Sequence, residues 1–202
     1  MEIVITPVTT AQDEAALWQV REQVFERERG IALERLRLSD QADALHLLAW
    51  VEPGLHPIAT LSVVETSSDH QLHQQYGLRF NPDARVARYT QLAVLRPYRG
   101  LHIPLKMMLE AHRRWIGPDQ FDYTWLLFDA DRAASSAICR LLAFTASVRV
   151  FSSEYGRSRA LVRVERTPQA EQAIRQAELY LEHSAAPLSL AESMPIRQAV
   201  SV

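Results

Sequence analysis

The stretch QLAVLRPYRGLHIPLKMMLEAHRRW, residues 91–115, runs an apolar strand pattern into a tight basic turn and then into a helical stripe. Leu101, Leu105, Met108, Leu109 and Trp115 fall on one face, and Lys106, Glu110, Arg113 and Arg114 on the other. A buried strand joined to a helix by so short a turn lays the helix back on its own sheet, which calls for a layered α/β domain.

The flanking sequence extends the same architecture. Residues 2–8 hold IVI and read as a strand; Thr9, Thr10 and Asp13 then supply capping chemistry for a helix in which Leu17, Val20, Val24 and Phe25 recur to about residue 28. Gly30 ends it. After the charged IALERLRLSDQAD, the runs ALHLLAWVE and IATLSVVE flank PGLHP and read as an antiparallel hairpin. Residues 67–83 form a polar excursion, 86–95 a strand, 101–115 the helix above, and FDYTWLLFD the next strand. A helix begins at Asp131 with Ala134, Ile138, Leu141 and Leu142 on one stripe, and SVRVFSS with SRALVRV makes a closing hairpin. Thr167 and Pro168 start a polar helix to about residue 183, and residues 184–202 show no period. The order β, α, β, β, β, α, β, α, β, β plus a helix predicts a mixed α/β sheet of about seven strands with helices on both faces. Residues 1–165 make one domain and 166–202 an added helix and tail.

With 202 residues, 48% hydrophobic and 23% charged, such a domain has material for its own core. A net charge of −2 and a pI near 6.4 provide no field to attract nucleic acid or an anionic membrane. No leader pattern and no membrane-length apolar run is present, so a cytoplasmic protein is expected. Cys139 is the only cysteine, which excludes an internal disulfide and a multi-cysteine metal site. His70 and His73 are the closest histidine pair and lie in a polar surface run, so no metal is expected.

The turn itself is suited to an anion. A helix N-terminus offers unpaired amides and the positive end of the dipole, here beside Arg96, Arg99, His102 and Lys106. A phosphate or diphosphate is the expected guest.

LAVLRPYRGLHI resembles motif A of the GNAT superfamily of acyl-CoA-dependent N-acyltransferases, and the element order is that family's order. VREQVFERERGI followed by HLLAW, and the helix DADRAASSAICRLLAF, resemble further parts of its pattern. The resemblance spans residues 1–165 and implies a mostly antiparallel sheet. It also implies acetyl-CoA or another acyl-CoA as co-substrate and a small-molecule or amino acid amine as acceptor. Donor-binding positions carried over are Ala93, Val94, Arg99, Gly100, Leu101, His102 and Ile103, with a backbone N–H near Val94 as oxyanion donor.

The pattern departs at His102 and Pro104, where the family usually has small residues, and at Cys139, where a tyrosine usually protonates the departing thiolate. Cys139 and Tyr155 are therefore the candidate acids. Glu28, Glu65 and His46 are the candidate bases, with Glu28 preferred. Long-chain N-acyl amino acid synthases also lose the later glycines and take acyl groups from an acyl carrier protein, which makes a carrier protein the alternative donor. Arg88 and Gln91 stand where those relatives have an acidic residue and an arginine. A non-catalytic GNAT-like module that binds an acyl thioester or a protein partner is the third reading. A homodimer through a sheet edge or the tail is left open.

Overall fold

The structure, a computed structural model, describes residues 2–37, 44–66, 75–129, 133–153 and 156–184. β1 (Glu2–Pro7) leads to α1 (Ala11–Arg21), which opens on a capping box. The Thr10 hydroxyl accepts from the Asp13 amide and the Asp13 carboxylate accepts from the Thr10 amide. α1 continues into a π-helical turn, Glu22–Arg27, so the predicted helix to about residue 28 is one rod with two pitches. A short α2 (Leu33–Arg37) lies in the charged stretch, where the sequence showed no element.

The hairpin β2 (Leu45–Glu52) and β3 (His56–Thr66) precedes β4 (Val86–Val94) and a 3-10 turn at Arg96–Tyr98. Then come α3 (Ile103–Ala111) with a π turn at His112–Ile116, β5 (Tyr123–Asp129) and α4 (Ala133–Leu141). β6 (Thr145–Ser153), β7 (Gly156–Val164) and α5 (Pro168–Ser184) complete the described chain. No helix among the described residues is long and apolar enough to cross a membrane.

The seven strands form one sheet in the order β1-β2-β3-β4-β5-β7-β6, antiparallel throughout except at β4 and β5, which are parallel. That parallel pairing covers only Val86–Tyr89 against Tyr123–Leu126, after which the two strands separate. The cause is a bulge in β4. Ser62 faces Thr90 and Thr60 faces Ala93, so β4 carries one more residue than β3 over the same length. Gln91 sits there with φ +52°, a left-handed value for a non-glycine residue. Its carbonyl accepts from the Thr60 hydroxyl at 3.1 Å, and its side-chain amide donates to the Leu36 carbonyl at 2.8 Å.

The extra residue also switches which face each side chain takes. Before it, Ala87 and Tyr89 pack into the core formed with Ile103, Leu105 and Met108. After it, Val94 joins that core and Ala93 turns to Val20, Val24 and Phe25 on the α1 side. α1 is fixed to the sheet by Arg21, fully buried, whose guanidinium donates to the Ser62 hydroxyl and lies 4.8 Å from the Trp18 ring centre. The Ser62 hydroxyl is in turn 2.7 Å from His46 Nδ1. On the other face, α5 presents Ala170, Ala173 and Ala177, small residues that let it approach α3 and α4.

Candidate active site

Where β4 and β5 part, a cavity of about 730 Å³ opens between them. On one face it is walled by Pro104 and Met108 of α3 and by Ile138 and Cys139 of α4; on the other it is walled by Val24 and Phe25 of the π turn, with Arg29 beyond. Tyr89, Thr90, Leu92 and Val94 of β4 and Leu126, Leu127 and Phe128 of β5 form its flanks. The void therefore passes through the sheet. The Leu95 amide donates to the Ile58 carbonyl on β3 at 2.9 Å, so strand alternation turns the Val94 N–H and C=O to the opposite edge, toward the gap.

At the mouth, two left-handed residues shape the turn after β4. Gly100 has φ +93° and His102 φ +56°, so histidine occupies a left-handed cap position that glycine fills most easily. The His102 carbonyl accepts from the Lys106 amide at 3.0 Å, the first bond of α3. The amides of Ile103 and Leu105 precede that bond and have no acceptor within the helix, while Pro104 has no N–H. The His102 ring meets Tyr180 of α5 edge-on at 5.2 Å, with the phenol oxygen 3.5 Å from Nε2. Tyr180 also lines the cavity, so the added helix belongs to its wall.

The structure brings Arg99 and Glu28 together: one guanidinium nitrogen is 2.5 Å from the Glu28 carboxylate, and Nε donates to the Val94 carbonyl at 2.9 Å. The pair borders a second cavity of about 570 Å³ with Gln23, Leu95, Arg96 and Pro97. Val94, Arg99, Gly100, His102 and Cys139 line the gap. Ala93 faces the α1 side, Leu101 packs partly buried on the core, and the Ile103 side chain is fully buried there. Burial pushes the Cys139 thiol up to about 12 and the buried Tyr89 phenol well above its ordinary value.

Of the other candidate bases, Glu65 is bound to Arg85 at 2.9 Å and His46 belongs to the Arg21–Ser62 cluster; neither lines the gap. Tyr155, His70 and His73 lie outside the described residues. No cluster of three potential metal ligands occurs among the described residues. Sequence reasoning did not assign Arg88, Trp125 or Tyr180 to the site, although an arginine in the middle of the apolar strand VARYTQLAV was a visible cue.

No family model matches the sequence, and no curated protein matches it. Solved structures do. An acyl-CoA N-acyltransferase from Pseudomonas aeruginosa superposes with TM-score 0.55 at 19% identity, over 81% of this chain and 99% of the other. FeeM, an N-acyl amino acid synthase from uncultured soil microbes, superposes with TM-score 0.60 at 13% identity, over 85% and 98%. Arabidopsis thaliana NAA60 in complex with acetyl-CoA gives TM-score 0.60 at 12% identity, over 82% and 100%. With its single parallel strand pair, its β4 bulge and its through-sheet gap, the chain has the fold of the GNAT N-acyltransferases.

Proposed function

We propose that the protein is an N-acyltransferase that moves an acyl group from a thioester to a primary amine. The observation that carries this reading is the gap between β4 and β5, which exposes the Val94 peptide to an apolar cavity open on both faces of the sheet. The residues fit a pantetheine arm: an unpaired strand edge to hydrogen-bond its amides, and apolar walls from Met108, Ile138 and Leu126. The amides of the Gly100–Ile103 turn, with Lys106 on the first turn of α3, would hold its phosphate end.

In this reading the amine's lone pair forms the new C–N bond to the thioester carbonyl carbon, and the C–S bond breaks. The Val94 N–H stabilises the developing oxyanion. The amine loses one proton and the departing thiolate gains one. Glu28, tied to the gap through Arg99, is the base candidate, acting through water. Cys139 serves poorly as the acid: with its thiol near 12, donation to a thiolate of ordinary basicity runs uphill by about 5 kcal/mol. We assign it a packing role. A lone free cysteine fits a reducing compartment, and we place the enzyme in the cytoplasm.

A carrier-protein donor is the second reading, and a specific observation favours it. Arg99, the expected diphosphate ligand, is engaged by the Val94 carbonyl and Glu28, and Pro104 withholds an amide, so the turn offers less to a diphosphate than to a single phosphate. Calorimetric titration with acetyl-CoA and octanoyl-CoA, followed by thiol release with an amine panel, tests both. Micromolar binding and turnover support coenzyme A; no binding, with acylation from a loaded carrier protein, supports the second. Binding without turnover from either donor overturns the enzymatic reading and leaves a thioester-binding module.

A further inference from the structure

We propose that Arg88, stacked on Trp125 at the α1-side end of the cavity, anchors a carboxylate of the acceptor, so that the amine acylated belongs to an amino acid or a related carboxylate-bearing amine. This rests on the acyltransferase reading for its chemistry, whereas the carboxylate site rests on the side chains alone.

Four arginines around the sheet are held by carboxylates, and Arg88 is not. Arg85 is held by Glu65, Arg99 by Glu28, Arg163 by Glu165 and Arg166 by Asp122. Arg88 has no carboxylate partner among the described residues, and its Nε is enclosed with no hydrogen-bond acceptor. Its guanidinium lies 4.7 Å from the Trp125 ring centre. That indole is fully buried, is 5.4 Å from the Tyr76 ring, and donates its N–H to the Thr66 hydroxyl at 3.2 Å, so the platform under the guanidinium is fixed. Stacking occupies one face of the guanidinium and leaves the in-plane N–H fork for a planar anion.

The location suits an acceptor. Arg88 pairs with Trp125 across the last stretch where β4 and β5 remain joined, and it lines the cavity just before the strands part. Among the described residues that line this cavity there is no aspartate or glutamate. A cationic end with Phe25 and Leu127 lining the same cavity selects an anionic group attached to an apolar side chain. A bidentate arginine supplies that selection because guanidinium and carboxylate are matched in plane and charge.

The test compares equilibrium binding of N-octanoyl-leucine and its methyl ester to the wild type, R88M and R88K, with thermal melting as the folding control. The wild type is expected to bind the acid about 10- to 100-fold more tightly than the ester, R88M to lose the preference, and R88K to keep part of it. Equal binding of acid and ester by the wild type, no binding of either, or a preference that survives in R88M overturns the proposal. If R88M does not fold, R88K decides, because a point charge that fully replaces the fork also overturns it.

A parallel assay separates this from the acyltransferase reading: thiol release from octanoyl-CoA, or from an octanoyl-loaded carrier protein, with leucine or with isoamylamine. Release with neither amine from either donor, alongside an intact acid preference, sinks the enzymatic reading and leaves the carboxylate site. Faster release with isoamylamine sinks the carboxylate site and leaves the enzyme.

Discussion

Removing the Glu165 carboxylate would expose how much of the fold's stability rests on one buried ion pair. Arg163 and Glu165 are 2% and 5% exposed, with Nε and carboxylate 2.7 Å apart. The Thr124 hydroxyl donates to the same carboxylate oxygen, the guanidinium reaches the Leu142 carbonyl at 3.3 Å, and it stacks 4.9 Å from the Phe144 ring centre. Glu165→Ala leaves a buried cation with that carbonyl, that ring and His112 Nδ1 at 3.4 Å, and no opposite charge. Breaking such a pair costs about 3–5 kcal/mol, against a total of about 5–15 for a typical domain. The melting temperature should fall by about 6–20 °C for a chain of this size. The double variant Arg163→Met/Glu165→Leu should recover most of that, because two apolar side chains leave no charge to solvate. Urea and thermal unfolding of the single and double variants measure both quantities. A loss below about 1 kcal/mol for Glu165→Ala, or a double variant as unstable as the single, would refute the claim that the penalty is an orphaned charge.

The neighbouring histidine adds a pH signature. Burial, and then the Arg163 charge, hold the His112 imidazole below its ordinary value, so the unfolded chain takes up the proton more readily. Stability from this group is complete above about pH 6.5 and is lost as pH falls from there through the lower folded value; melting curves of wild type and His112→Gln should converge in their pH dependence above that point and diverge below it. At the turn, His102→Gly should be more stable than His102→Ala by about 1 kcal/mol in urea unfolding, since both lose the Tyr180 contact and only alanine keeps the left-handed strain. Cys139→Ala should leave thiol-release turnover within about twofold across neutral pH while costing about 1 kcal/mol of packing. A folded variant with turnover down a hundredfold would instead make the thiol the acid.

The element order was legible because its cues are local. Apolar runs of strand length, Gly30 and Gly117–Pro118 as stops, and Thr167–Pro168 as a start all act within a few residues. The basic turn was visible for the same reason. What escaped depends on distant partners. Nothing in VARYTQLAV marks Gln91 for a left-handed conformation, which Thr60 and Leu36 secure from β3 and α2. Arg99 read as an anion ligand, yet its carboxylate partner is Glu28, contributed by the far end of the first helix. Tyr180 lay in a helix that composition described only as polar, and its place at the cavity wall follows from how α5 meets α3.

The bulge in β4 has an implication for insertions and deletions. Substitution at Gln91 alters a bond or two, but deleting it would remove the bulge while leaving Ala93 opposite Thr60 and Val94 opposite Ala59 on their present faces, and would let β4 continue straight beside β5. The parallel ladder could then zip past Tyr89 and Leu126, and the void would close into ordinary sheet. A single residue, counted rather than chosen by type, separates a chain of this fold with room inside from a well-packed one with nowhere to bind.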